Sequence, residues 1–217
     1  MKNLPVFTTQ NGVASLTLQE IPTQGCAYIH LQSALEPEEL LDDCVGFCRM
    51  VGANQIYAKG HPILEKYSFY TAIWEMRCAI ESLEDTDAAL WPVQEETAGK
   101  FREIYNEKIR RIPNAAWMTE KEAKRIAASG EGYFVHRGDL LLGVGIIDGG
   151  EIRFVASLTK GAGADIMRAL AHGITGEQIV LQVASENHKA IQLYEQLGFV
   201  KTREISRWYR VFGETEL

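Results

Sequence analysis

The sequence predicts an α/β protein in which a mixed sheet is flanked by helices and preceded by a smaller α/β region. Three observations predict this class. Residues 89–212 alternate strand-like and helix-like segments, with hairpin turns between some strands and helical crossovers between others. Residues 81–88 are charged and poor in apolar side chains, and they separate this part from the preceding one. No apolar run approaches the ~20 residues that span a bilayer. We therefore predict an N-terminal α/β region at 1–86 and a main domain at 87–217.

The N-terminal region begins with a predicted hairpin. Residues 13–18 partly alternate apolar and polar, 22–25 supply turn residues, and 27–31 form the return strand. Pro37 then begins a helix, because proline favours the first helical position and two glutamates follow in the first turn, where the helix dipole favours negative charge. Gly52 ends that helix. The remaining predicted elements of this region are strands at 55–58 and 67–77.

The main domain is predicted to have the order β-α-α-β-β-β-α-β-α-β. Thr119 and Glu122 form a capping-box pattern at the start of its second helix. Residues 137–139 form the turn of a hairpin. The predicted elements are a strand at 89–93, helices at 95–110 and 119–130, strands at 132–136, 140–147 and 152–157, a helix at 164–172, a strand at 179–184, a helix at 187–197 and a strand at 202–212.

Composition excludes several classes of protein. The chain has 217 residues and a formal net charge of −7, which argues against a general nucleic-acid binder, since such proteins carry a basic face. The first residues contain one early lysine and no long apolar core, so we predict no signal peptide, no membrane association and a cytoplasmic location. The cysteines show no Cys-x-x-Cys pair and no zinc-like spacing, so no metal site is predicted. We expect them to be small buried residues, with a redox role as the alternative. They are Cys26, Cys44, Cys48 and Cys78.

A Gly-x-Gly turn lies between a predicted strand and a predicted helix. Its residues are Lys160, Gly161, Ala162, Gly163 and Ala164. Small residues let main-chain N–H groups approach a ligand, and the following helix presents its positive end, so a pyrophosphate would fit here. A tight turn without a ligand is the alternative. The pattern lacks the third glycine of a dinucleotide-binding Rossmann motif.

Two residues of the next helix are candidates for chemistry. Asn187 opens it, and Tyr194 lies two turns further along the same face. Asparagine is a good helix cap, and a tyrosine at an apolar helical position is often a core residue. Alternatively, the Tyr194 hydroxyl could donate a proton to a departing thiolate.

The order of these elements resembles the GNAT superfamily of acyl-CoA-dependent N-acetyltransferases. The motif that carries the resemblance is Asn187-x-x-Ala190-x-x-x-Tyr194 followed by Gly198-Phe199, after the Gly-x-Gly turn and before an aromatic final strand. The resemblance extends over residues 88–212 and is most specific over 179–199. It implies acetyl-CoA as the acyl donor and a small-molecule or peptide amine as the acceptor.

The resemblance also implies roles for particular residues. The CoA pyrophosphate would bind the main chain of Lys160, Gly161, Ala162, Gly163 and Ala164. The pantetheine arm would run along Val155 and Ala156 and contact Asn187, and Tyr194 would be the general acid.

The chain also departs from the pattern of that superfamily. The superfamily usually has Arg or Gln three residues before the first glycine of the turn, where this chain has Leu158. No general base is identified, because Glu151 and Glu186 are predicted to be surface carboxylates, and water is the alternative proton relay.

These departures leave three hypotheses. The leading one is an N-acetyltransferase, the second is an acyl-CoA-binding module without catalysis, and the third is a structural protein whose glycines only turn the chain. Residues 61–69 resemble 193–199, either by chance or as a weak internal repeat. If the repeat is real, the N-terminal region is a degenerate half-unit without a phosphate turn, and we hypothesise that it covers one side of the active site and shapes the acceptor pocket. The aromatic pair Trp208 and Tyr209 packs either inside the domain or at a homodimer contact.

Overall fold

The structure is a computed structural model that describes residues 5–110 and 116–213. Its contacts divide the chain into two compact units: residues 1–72 with 205–217, here the N-terminal unit, and residues 73–204, here the C-terminal unit. This division differs from the predicted ranges 1–86 and 87–217, because two long strands each begin in one unit and end in the other. The domain boundary at residue 86 stays a prediction.

The N-terminal unit is a sheet backed by one long helix. Its strands are β1 Val6–Thr9, β2 Gly12–Thr17, β3 Cys26–Ala34, β4 Gln55–Lys59, the first part of β5 Ser68–Ala79 and the last part of β11 Val200–Phe212. Its helices are α1 Ile21–Gln24, α2 Pro37–Met50 and a 3₁₀ turn at Pro62–Lys66. Helix α2 begins at the predicted proline and buries Leu40, Leu41, Cys44 and Cys48 at helical spacing. Burial raises the pKa of Cys44 to about 12 and that of Cys48 to about 11, so both thiols stay protonated. Strand β1 and helix α1 were not predicted.

The C-terminal unit has a mixed sheet with helices on both faces, which confirms the predicted fold class. Its strands are the remainder of β5, then β6 Ala89–Pro92, β7 Gly132–Arg137, β8 Leu140–Asp148, β9 Glu151–Ser157, β10 Gln178–Ala184 and the first part of β11 Val200–Phe212; its helices are α3 Ala98–Ile109, α4 Glu120–Ser129, α5 Gly163–His172 and α6 His188–Gln196, with 3₁₀ turns at Ile80–Ser82 and Glu95–Thr97. Strand β10 runs parallel to β9 and antiparallel to β5, and β6 to β9 form an antiparallel meander. Helices α5 and α6 bury their apolar residues on one face of this sheet, and α3 and α4 bury theirs on the other.

Residues 81–88 were predicted to be a linker, but ion pairs attach them to the C-terminal unit. Asp87 pairs with Arg137 of β7 at 2.6 Å, and Glu84 pairs with Arg168 of α5. Each pair is exposed and individually weak. Together the two pairs attach the segment to β7 and to α5.

The same order of elements occurs twice in the chain. β2-β3-α2-β4 is followed by a 3₁₀ turn and the long β5, and β8-β9-α5-β10 is followed by α6 and the long β11. In each series the first two strands are antiparallel, and the strands that flank the helix are parallel. The weak sequence repeat therefore corresponds to a repeat of topology. The last strand of each series pairs within the other unit, because β5 pairs with β10 and β11 pairs with β4.

The aromatic end of β11 packs inside the N-terminal unit. Trp208 meets Tyr28 edge-on with ring centroids 5.6 Å apart, and Tyr209 meets Phe69 at 6.5 Å. Both side chains are half-buried, and these ring contacts are with residues of the N-terminal region rather than within the predicted main domain. Homodimer formation stays a prediction.

Candidate active site

The parallel strands β9 and β10 separate after a short paired stretch. Their register contains two pairs, Val180 with Glu151 and Leu181 with Ile152. Strand β9 continues to Ser157 and β10 to Ala184, each still paired on its other side with β8 or β5. Between residues 153–157 and 182–184 the two strands therefore leave a notch, lined by main-chain groups that no longer bond across it. Main-chain groups in such a position need other partners, and an extended polar ligand can supply them.

The predicted residues Val155 and Ala156 lie on the β9 side of this notch. They pair with Gly145 and Val144 of β8 through their other edge. Their side chains take opposite faces of the sheet, since Val155 packs against the α5 core and Ala156 belongs to the α3–α4 core. A pantetheine contact with their main chain fits this placement and stays a prediction.

The N-terminal unit lacks such a notch in its described residues. Its equivalent parallel strands, β3 and β4, pair without interruption from Cys26 with Gln55 to His30 with Lys59, which is the whole length of β4. The same topology is thus closed in one unit and open in the other, so the candidate site belongs to the C-terminal unit.

The Gly-x-Gly turn connects the end of β9 to α5. It is fixed to the sheet, because Leu142 of β8 accepts hydrogen bonds through its carbonyl from the N–H groups of Leu158 and Thr159, at 2.8 and 3.1 Å. Gly161 has a φ of +84°, and a Cβ at this position would meet nothing within 4 Å. Its glycine is therefore required by backbone conformation rather than by packing. The first turn of α5 leaves N–H groups without intrahelical acceptors at the end of the notch, as every helix start does.

Gly163 has a different reason to be glycine. A Cβ there would lie 2.8 Å from Cδ2 of Leu193, so the start of α5 and the side of α6 approach closely at this point. The turn that was predicted to hold phosphate and the helix that carries Asn187 and Tyr194 are thereby brought together.

Asn187 caps α6 as the sequence predicted. Its Oδ1 accepts a hydrogen bond from the N–H of Ala190 at 3.3 Å. Its side-chain amide group has no acceptor among the described residues, so contact with a ligand stays a prediction that the cap does not exclude.

Tyr194 is a core residue, with 7 % of its surface exposed and its ring 5.8 Å from that of Phe199. Burial raises the pKa of its phenol to about 12, so the hydroxyl keeps its proton at physiological pH. In the described part of the chain, this hydroxyl has no hydrogen-bond partner. The core and donor interpretations are therefore compatible.

The charges around the turn are compensated. Asp165 in the first turn of α5 would repel an anion, but Arg137 reaches its carboxylate at 3.1 Å and Arg168 at 3.6 Å. Lys160 is exposed on the turn itself. Leu158, where the superfamily usually has Arg or Gln, is exposed and brings no charge. Among the described residues, Lys160, Arg137 and Arg168 are thus cations near the turn, and the two arginines pair with Asp165.

The two carboxylates considered as general bases are both hydrogen-bonded locally. Glu151 accepts from Nε2 of Gln182 at 3.1 Å, which places it at the start of the notch. Glu186 is exposed and accepts from Oγ of Ser185 at 2.8 Å. Of the two, Glu151 is the one beside the splayed strands.

Sequence reasoning missed a cluster of charged residues beside the notch. Glu75 of β5 is 5 % exposed, and its carboxylate accepts from Nε of Arg77 at 2.8 Å and from Nη2 of Arg203 at 2.8 Å. Thr202 donates a further hydrogen bond at 2.9 Å. These arginines hold the pKa of Glu75 down at about 2, so the carboxylate is ionised. Residues 75 and 203 belong to strands far apart in the chain, so no local sequence pattern predicts the cluster.

Two further searches of the described residues gave no site. No three or more His, Cys, Asp and Glu side chains gather there in a way that would hold a metal ion. None of the described helices has the length and apolar character needed to cross a membrane.

Comparison with known proteins identifies the class of fold. The chain is similar to a GCN5-related N-acetyltransferase from Sphaerobacter thermophilus, at 12 % identity and a TM-score of 0.56, with 95 % of this chain and 79 % of that chain covered. A putative acetyltransferase from Pyrococcus horikoshii matches at 10 % identity and a TM-score of 0.60, with 94 % and 70 % covered. A conserved protein of unknown function from Staphylococcus epidermidis matches at 10 % identity and 0.59, with 97 % and 94 % covered. The fold is therefore GNAT-like.

The sequence itself gives a narrower match. Residues 149–209 match the family model of the FR47-like proteins. This segment contains β9, the turn, α5, β10, α6 and most of β11, so it contains the predicted site residues from Val155 to Tyr194. Together these findings confirm the resemblance to the GNAT superfamily. The chain has no significant match among curated protein sequences.

Proposed function

We propose that this protein is an N-acetyltransferase that moves an acetyl group from acetyl-CoA to a primary amine. The observation that carries the proposal is the notch between β9 and β10, which ends at the Gly161 turn and lies beside the helix of Tyr194. Such an arrangement suits a ligand with an extended polar arm and a terminal pyrophosphate. The arm would use main-chain groups near Val155 and Ala156, and the pyrophosphate would meet the turn and the start of α5.

The residues present fit an acyl-CoA in three respects. Gly161 leaves open space above the turn, the first-turn N–H groups of α5 have no intrahelical acceptor, and Asp165 is compensated by arginines. Lys160 and Arg137 would supplement the main-chain contacts in place of the missing charge at Leu158. Asn187 would offer its side-chain amide group to the arm while its Oδ1 caps α6.

A bound thioester supplies an electrophilic carbonyl and a thiolate leaving group. The chain would supply three things: main-chain N–H groups at the notch to stabilise the oxyanion, proximity of the two substrates, and a hydrogen bond from Tyr194 to the departing sulfur. Glu151 at the start of the notch is the nearest candidate to receive the amine proton, directly or through water.

Binding and turnover should be tested separately. Calorimetric titration with acetyl-CoA and with CoA is expected to give micromolar binding that weakens in a Gly161→Asp variant, since a carboxylate would occupy the open space over the turn. A Gly149→Asp variant is the matched control, because Gly149 also has positive φ and open space but lies in the β8–β9 turn. Equal loss in both variants, or no binding by the unmodified protein, would contradict the proposed acyl-CoA site.

A second function has a specific observation in its favour. Leu158 brings no charge, and the pKa of Tyr194 lies well above that of a thiol, which suits an acyl-CoA-binding module that does not catalyse transfer. Tight acetyl-CoA binding with no thiol release on a broad amine panel would favour this alternative.

A further inference from the structure

The open face of the sheet beside the notch carries a pair of arginines held on one buried carboxylate. On β10, Leu181 and Val183 are buried in the core under α5, so Gln182 between them points to the opposite face. Glu75 is the direct partner of Gln182 on β5, and directly paired residues share a face. The Glu75 cluster therefore lies one strand away from the notch, on the face opposite α5.

This face is also the one from which an acceptor can reach the notch. The α5 side is filled by the core that contains Tyr194. On the other side, α3 and α4 cover the part of the sheet formed by β8 and β9. On β10, on β5 and at the start of β11, described side chains of this face are exposed: Gln182 is exposed, and the side chains of Arg77 and Arg203 are 43 % and 66 % exposed.

The two guanidinium groups are oriented for a further ligand. Arg77 uses Nε, and Arg203 uses Nε and Nη2, to bind the Glu75 carboxylate. Within the part of the chain that the structure describes, Arg77 Nη1 and Nη2 and Arg203 Nη1 have no hydrogen-bond partner. One carboxylate neutralises only one of the two cations, so the cluster keeps one positive charge in a protein whose net charge is −7. Arginines that are fixed in this way suit bidentate recognition of a carboxylate or phosphate.

The charges on the two sides of the notch complement a zwitterion. Glu151 lies at the start of the notch on β9, and the arginine pair lies beyond β10. With neighbouring strands about 5 Å apart, the two lie within roughly 10 Å of each other.

We propose that the acceptor is an amine that also carries an anionic group, a carboxylate or a phosphate, which Arg77 and Arg203 bind on the open face while the amine enters the notch. This inference rests on the proposed acetyltransferase function for the identity of the reacting group, but the anion site is testable without turnover.

The test compares matched amines in pairs that differ only in the anionic group. Free amino acids and their carboxamides form one arm, and O-phosphoethanolamine and ethanolamine form the other. For each pair, we would measure kcat/KM for acetylation, and binding by ligand-observed NMR to the protein with and without CoA. The variants are Arg203→Ala and Arg77→Ala. Lys201→Ala is the control, because Lys201 carries the same charge two residues away and pairs with Glu195 instead.

The expected result is a preference of about 10- to 100-fold for the anionic member of one arm. Arg203→Ala should lose most of that preference through a rise in the KM of the anionic amine, and Lys201→Ala should keep the preference. The arm that shows the preference identifies a carboxylate or a phosphate. Equal binding of anionic and neutral members, or an unchanged preference in Arg203→Ala and Arg77→Ala, would overturn the proposal. Absence of acetyl-CoA binding would contradict only the acetyltransferase function, since the NMR titration still reports anion binding.

Discussion

Replacing Tyr194 by phenylalanine removes one hydroxyl from a buried ring and separates its packing role from its chemical role. The hydroxyl has no hydrogen-bond partner in the described part of the chain, so its removal leaves no group unpaired. The free energy of unfolding should therefore change by less than about 0.5 kcal/mol. If the hydroxyl assists departure of the thiolate, kcat should fall by about 10²- to 10⁴-fold, which is ~2.7–5.4 kcal/mol.

The pKa of Tyr194 limits how it can act. A thiol has a pKa near 8.5, and burial raises that of Tyr194 to about 12. The difference of roughly 3.5 units corresponds to about 5 kcal/mol against complete proton transfer. We therefore expect Tyr194 to donate a hydrogen bond to the sulfur, with full transfer only where the site raises the thiol pKa as well. Because the phenol is protonated below about pH 11, its ionisation should cause no loss of activity between pH 7 and 10.

The assay is thiol release at saturating acetyl-CoA, with CoA affinity from calorimetry and stability from urea unfolding. Tyr105→Phe is the contrasting variant, because the Tyr105 hydroxyl donates to the carbonyl of Ala116 at 3.2 Å, and its loss should cost about 1 kcal/mol of stability. Unchanged turnover in Tyr194→Phe would refute the donor role and leave the fold assignment intact. A drop in CoA affinity or stability comparable to the drop in kcat would show that the hydroxyl acts through packing.

Three further predictions concern the fold and its charges. A fragment of residues 87–217 lacks β5, so β10 loses its partner strand along all seven paired residues. We therefore expect the fragment to show no cooperative thermal unfolding by circular dichroism. A soluble fragment with a sharp unfolding transition would contradict this prediction. Gly161→Ala should lower the free energy of unfolding by about 1–2 kcal/mol from left-handed backbone strain alone. Gly163→Ala should instead be destabilised by overpacking against Leu193, which a second substitution, Leu193→Ala, relieves. Urea unfolding measures both effects, and additive costs in the double variant would argue against the contact. Because the pKa of Glu75 is lowered, the contribution of this carboxylate to stability is present above pH 4.5 and is lost as the pH falls towards 2. The melting temperature of Glu75→Gln should therefore vary less with pH over that range than that of the unmodified protein. Parallel plots of melting temperature against pH would refute the assignment.

Much of the fold followed from local signals. The proline at the start of α2, the Thr119 cap of α4 and the Gly130 end of that helix are each set by backbone requirements within a few residues, and the structure places these elements where the sequence predicted them. Strand β1 and helix α1 each span four residues and were missed, and the proline and glycine within 22–25 led us to interpret α1 as a turn.

In the candidate site too, the features set by local sequence were predicted and those set by tertiary contacts were not. The sequence alone predicted three local features, since each lies within one strand–helix connection: the turn at Gly161, the cap at Asn187 and the spacing from Asn187 to Tyr194. The sequence did not predict why each of the two glycines is required. Only the structure shows that the approach of α6 constrains Gly163 by packing, whereas Gly161 is constrained by its φ.

By itself, the sequence determined the order of strands and helices apart from β1 and α1, the position of the Gly-x-Gly turn and the resemblance to acyl-CoA-dependent acetyltransferases. These depend on periodicity, capping and turn chemistry, which act over short stretches of chain. The tertiary structure alone decided that β9 and β10 separate after Leu181, that β3 and β4 do not, and that Arg203 joins Arg77 on Glu75. These features depend on pairing and charge contacts between residues remote in the chain, and no local preference of a residue encodes its distant partner.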